Sequence, residues 1–139
     1  MQWKHRGRPD PGEESHAKPF GRHDAGYTFL VAKDGLGIVL GFGLLRPHNP
    51  MPAFRRTAEI TCFVAPEHTR KGIGGQILDR LLAEARGMGI TVILASISSL
   101  NPESLAFHRK LGFQECGRFV GVGRKMGRDF DEVWMQSRV

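Results

Sequence analysis

Arg70-Lys71-Gly72-Ile73-Gly74-Gly75 is the stretch whose reading decides the fold. It joins an apolar extended run, Ile60 to Val64, to the helix-patterned segment that follows. The first four N–H groups of a helix have no internal partner and carry the positive end of the macrodipole. Glycines at such a start let an anion approach the main chain, so the segment reads as a phosphate cradle with two mobile cations, Arg70 and Lys71, beside it. The competing reading is a tight strand-to-helix turn with a solvated basic pair, and the flanking elements must decide between them.

Downstream, Ile73, Ile77, Leu78, Leu81, Leu82, Ala85 and Met88 fall on one stripe, which predicts a helix from Gly72 to about Met88, with Gly87 and Gly89 at its exit. Ile90 to Ile97 is a nearly unbroken apolar, β-branched run suited to a central strand covered on both sides. Strand, helix and strand in this order imply a right-handed parallel crossover. Upstream, Thr57 to Ala65 alternates: Ala58, Ile60, Cys62 and Val64 share one face, and Glu59, Thr61 and Phe63 the other. A carboxylate thus lies on a strand face beside a hydroxyl and a ring.

Tyr27 to Ala32, the turn Lys33-Asp34-Gly35 and Ile38 to Leu45 read as a hairpin, followed by a loop with Pro47, Pro50 and Pro52. Asn101, Pro102 and Gly112 cap, start and end a second helix over 102–111. Strands at Phe113 to Val122 and Asp131 to Gln136 close the chain. Residues 1–26 are polar and aperiodic and are expected to form a loose arm. Their His5, His16 and His23 match no common ligand spacing, and no metal is expected.

The 139 residues, 40% of them hydrophobic, suit one domain with one core. The net charge of +6 is spread along the chain, without a basic stripe or a nucleic-acid module, so a polyanionic small ligand is favoured over nucleic acid. Cys62 and Cys116 show no disulfide or ligand spacing, and no apolar run is long enough to span a bilayer, so the chain reads as cytoplasmic, with no membrane partner.

From Tyr27 onward the chain resembles the GCN5-related N-acetyltransferases (GNAT), and within them the phosphinothricin and methionine sulfoximine acetyltransferases. The resemblance rests on Glu59-x-Thr61-x-Phe63-Val64, Gly72-x-Gly74-Gly75, Asn101 with Leu105-x-x-His108-x-x-Leu111-Gly112-Phe113, and Gly123-x-Lys125-x-Gly127-x-x-x-Asp131-x-x-x-x-Gln136. It implies an α+β (α/β) GNAT-type fold over 27–139, a mixed central sheet flanked by helices. It also implies direct transfer of the acetyl group of acetyl-CoA to the α-amine of a small amino acid or analogue.

Carried onto this sequence, the resemblance implies that Cys62, Phe63 and Val64 pair through their backbones with the pantetheine arm. Arg70, Lys71, Gly72, Ile73, Gly74 and Gly75 would hold the pyrophosphate, and Asn101 would contact the cofactor while also capping its helix. Glu59 matches the general base, His108 a proton relay or donor, and Phe54 and Arg55 the residues that contact the acceptor. An ion pair of Glu59 with Arg55 or Arg56 is the structural alternative, and Lys125 and Asp131 suit a hairpin salt bridge.

Thr69 and Phe63 depart from the family, which usually has Gln or Arg at the first position and often Tyr at the second. Relatives also carry a first strand and one or two helices before the hairpin, so the fold is expected to be shortened at its N-terminus. An uncovered edge at Tyr27 to Ala32 would then call for a homodimer. A CoA-binding module with impaired catalysis and a transferase for protein N-termini are the rival functions.

Overall fold

The computed structural model describes residues 2–6, 28–69 and 71–139. Among the described residues, seven strands and two α-helices follow one another as β1 (Gln2–Arg6), β2 (Thr28–Lys33), β3 (Val39–Pro47), β4 (Thr57–Val64), α1 (Ile73–Gly87), β5 (Val92–Ser98), α2 (Pro102–Lys110), β6 (Gln114–Lys125) and β7 (Arg128–Arg138). They form one mixed sheet in the order β1-β2-β3-β4-β5-β7-β6. The expected hairpin is β2–β3, the expected crossover is β4–α1–β5 with a parallel β4–β5 pair, and every other neighbouring pair is antiparallel.

One expectation is corrected at the front of the chain. Residues 2–6 are not loose: β1 pairs antiparallel with β2, Trp3 opposite Ala32 and His5 opposite Leu30. This pairing covers the edge that would otherwise need a partner. The remainder of the expected arm, residues 7–27, lies outside the described residues.

Alternation along β4 determines the layers. Ala58 and Ile60 are buried, and Cys62 and Val64 pack against the core, on the face that α1 covers with Ile77, Leu78 and Leu81. Gly41 and Gly43 on β3 let the helix settle on the sheet: a Cβ on Gly43 would stand 2.4 Å from Cγ2 of Ile77 and 2.6 Å from Cδ1 of Leu81. Leu30 and Leu45 on one side and Ile93, Val133 and Met135 on the other complete a continuous core. Glu59, Thr61 and Phe63 look out from the opposite face. There Phe29, Phe42 and Phe63 stack across three strands, with centroids 5.6 and 5.4 Å apart.

The two central strands part early. β4 and β5 pair only at Thr57–Val92, Ala58–Ile93 and Glu59–Leu94, and then β4 runs on to Val64 and β5 to Ser98 with no further pair between them. This parting opens a cleft in the middle of the sheet.

Candidate functional site

The cleft inherits its chemistry from the strand it opens. The bonds His48 N–H to Thr57 O (3.2 Å) and Ala65 N–H to Leu40 O (2.9 Å) turn the odd-numbered polar groups of β4 towards β3. By alternation the N–H and C=O groups of Ile60, Cys62 and Val64 face the side that β5 has left. Phe63, expected to contribute its backbone to the site, instead spends those groups on β3, and its half-exposed ring joins the aromatic stack. An open strand edge of this kind offers alternating donors and acceptors to an extended, amide-bearing ligand.

A cavity of about 150 Å³ occupies the parting, lined by residues that include Thr61, Cys62, Ser96, Ser98, Asn101 and His108. At one end stands the start of α1. Gly72 is its N-cap at φ +75°, a left-handed conformation that glycine adopts without cost, and it offers no side-chain cap. Gln76 N–H reaches Gly72 O, as the first intrahelical bond should, which leaves the amides of Ile73, Gly74 and Gly75 without a helical partner. The three glycines differ in use: Gly72 sets the turn, Gly75 is open, and a Cβ on Gly74 would lie 3.2 Å from Phe107 and 3.4 Å from Val64. Lys71 is exposed beside them. Arg70 lies outside the described residues, and Thr69 bonds to Pro66 O at 3.1 Å.

Asn101 caps α2, its side-chain oxygen accepting from Ser104 N–H at 3.1 Å, while the residue also borders the cavity. His108 is buried on α2 between the edges of Phe107 and Phe113, 5.4 and 5.2 Å away. Its Nδ1 lies 2.7 Å from Ser104 O, and a carbonyl only accepts, so Nδ1 carries the proton and Nε2 the lone pair. Burial pushes its pKa down, against the smaller opposite pull of Ser104, so the ring is neutral near pH 7. Burial likewise pushes the Cys62 thiol up to about 11.

Glu59 is the last residue of β4 to pair with β5 and stands where the strands part, on the face opposite α1. It does not line the cavity that His108 lines; Ile60 and Thr61, next along the strand, do. Its carboxylate takes Arg46 at 2.9 Å on Oε1 and Nδ1 of His48 at 3.0 Å on Oε2. The alternative of a pair with Arg55 or Arg56 is therefore replaced by Arg46, which the β3–β4 register sets directly opposite Glu59. The sequence reading missed Arg46 and His48, although an antiparallel register through the Pro-rich loop would have pointed to both. Phe54, on a 3-10 turn over Pro52–Phe54, meets the edge of His48 at 5.9 Å, and Arg55 is exposed after it.

The hairpin also departs from expectation. Asp131 bonds Gly121 N–H at 2.8 Å and Arg118 at 2.9 Å, and these hold its carboxyl below the usual carboxylate range. Lys125 stands opposite Arg128 across the turn at Met126-Gly127, away from Asp131. Asp131 N–H and O bond Ser99, which ties the hairpin to the loop that carries Asn101.

A mixed sheet whose parallel central strands part beside a glycine-rich helix start finds its match among known proteins: residues 1–113 fit the Acetyltransferase (GNAT) family. The chain belongs to this family. An L-methionine sulfoximine/L-methionine sulfone acetyltransferase of Pseudomonas aeruginosa is 40% identical over 80% of this GNAT chain and 64% of its own length. The phosphinothricin acetyltransferase of Sinorhizobium meliloti, solved in complex with AcCoA, superposes with a TM-score of 0.76 at 33% identity, over 82% of this chain and 62% of that one. A ribosomal-protein-alanine N-acetyltransferase from Brucella melitensis gives 0.76 at 37% identity, covering 85% and 72%. The GNAT chain thus spans somewhat less than two thirds of the Pseudomonas and Sinorhizobium proteins it resembles.

Proposed function

We propose that this GNAT domain transfers the acetyl group of acetyl-CoA to the α-amine of a small amino acid or analogue of the methionine sulfoximine or phosphinothricin type. The observation that carries the proposal is the parting of β4 from β5 after Glu59, which leaves a polar strand edge running towards the free amides of α1. Cys62 and Val64 hold the amides of the pantetheine arm as a neighbouring strand would. Arg70, Lys71 and the amides of Ile73, Gly74 and Gly75 take the pyrophosphate. The second side-chain group of Asn101, its amide nitrogen, remains a donor for the cofactor while the oxygen caps α2.

Transfer to an amine needs a neutral nucleophile and a place for its proton. Glu59 stands at the mouth of the parting on the acceptor side, and removal of that proton in a direct transfer depends on its carboxylate. His108, with its lone pair on Nε2, accepts a hydrogen bond rather than donating a proton in its resting state. Phe54 and Arg55 border the same face, where a guanidinium suits the acceptor's carboxylate. The names of the relatives support the substrate class.

The test is release of free CoA thiol from acetyl-CoA across a panel of amino acids with L-methionine sulfoximine and phosphinothricin. Turnover of one or more is expected, with kcat lowered about 10²- to 10⁴-fold in Glu59→Gln. Tight acetyl-CoA binding without turnover of any amine would leave a CoA-binding module, and unchanged turnover in Glu59→Gln would remove Glu59 from the proton's path.

A further inference from the structure

We propose that His48 is a further catalytic residue, whose Nε2 accepts the proton of the acceptor amine while Glu59 holds the ring. The inference rests on the amino-acid transferase function proposed above and gives its proton a defined path. Both oxygens of Glu59 already accept a hydrogen bond, one from Arg46 and the other from His48. A carboxylate oxygen facing Nδ1 at 3.0 Å can only accept, so Nδ1 carries the hydrogen and the lone pair of the neutral imidazole is on Nε2. Among the described residues Nε2 has no hydrogen-bond partner. The His48 side chain is 31% exposed, against 13% for Glu59.

The surroundings suit a ring that gains and loses a proton. Glu59 offsets the positive charge of an imidazolium through the bond to Nδ1, the orienting role a carboxylate plays in catalytic dyads. Phe54 holds the ring by an edge contact, and Phe54 belongs to the segment assigned to the acceptor. In the step, the amine nitrogen bonds to the acetyl carbonyl carbon and the carbon–sulfur bond of the thioester breaks. The proton leaves nitrogen for Nε2 of His48 and passes to solvent, and the departing thiolate takes a proton from water.

Two substitutions separate this role from simple support of Glu59. His48→Gln keeps a donor for Glu59, and His48→Phe keeps a ring against Phe54, but neither has a basic nitrogen. Rates are measured with acetyl-CoA and the best acceptor of the panel from about pH 5 to about pH 9 for the wild type and both variants. In both variants kcat should fall about 10²-fold, with KM for acetyl-CoA unchanged. Wild-type rate and pH profile in His48→Gln would overturn the inference and leave the transferase function standing. Absence of turnover by the wild type would overturn both.

Discussion

His108 and Cys62 border the same cavity, and burial drives both to their uncharged forms, with opposite signs of pKa shift. For His108 the consequence is a pH-dependent stability. The unfolded ring titrates near 6.5 and the folded ring lower, so between these values the unfolded chain binds more protons. The contribution is complete above 6.5 and declines as the pH falls through the folded value. Urea midpoints measured down the acid side should therefore drop in the wild type, and the His108→Gln protein should lack that part of the slope. A Cys62 thiol held near 11 is a poor nucleophile, whereas Cys116 is exposed. Iodoacetamide at neutral pH should label Cys116 in the native protein and reach Cys62 only after denaturation, as mass spectrometry would show.

The element that depends most on a single small residue is α1. Its stripe rests on Gly43, where a methyl group would overlap Ile77 and Leu81, both fully buried. Gly43→Ala should cost about 1–3 kcal/mol in urea denaturation through this overpacking, whereas an alanine at the open Gly75 should leave the fold intact. The helix itself was legible in the sequence, from a 3.6-residue period and glycine punctuation, as were the alternation of β4 and the cap of α2. What the sequence did not show is pairing. The partners of Glu59 come from a register set across a Pro-rich loop, and Asp131 meets Arg118 rather than Lys125 because the turn at Met126-Gly127 sets Lys125 opposite Arg128. Gln2–Arg6 became a strand although its composition is polar, since an edge position needs main-chain bonds more than an apolar pattern. The parting of β4 from β5 is likewise a property of two distant strands, invisible in either one.

At the scale of the molecule, β1 supplies the cover for β2 that a second copy was expected to give, which removes the ground for expecting a homodimer at that edge. Among the described residues no helix is long and apolar enough to cross a membrane, and no cluster of ligating side chains suits a metal. What the molecule does offer is a polar strand edge leading from free helix amides to a carboxylate, a layout for a long anionic donor meeting an amine. Amide hydrogen exchange with and without acetyl-CoA tests that layout most directly. Cys62, Val64, Gly74 and Gly75 should gain protection on binding, while Phe63, already bonded to β3, should change little; acetyl-CoA that binds and leaves those four amides unchanged would contradict the account.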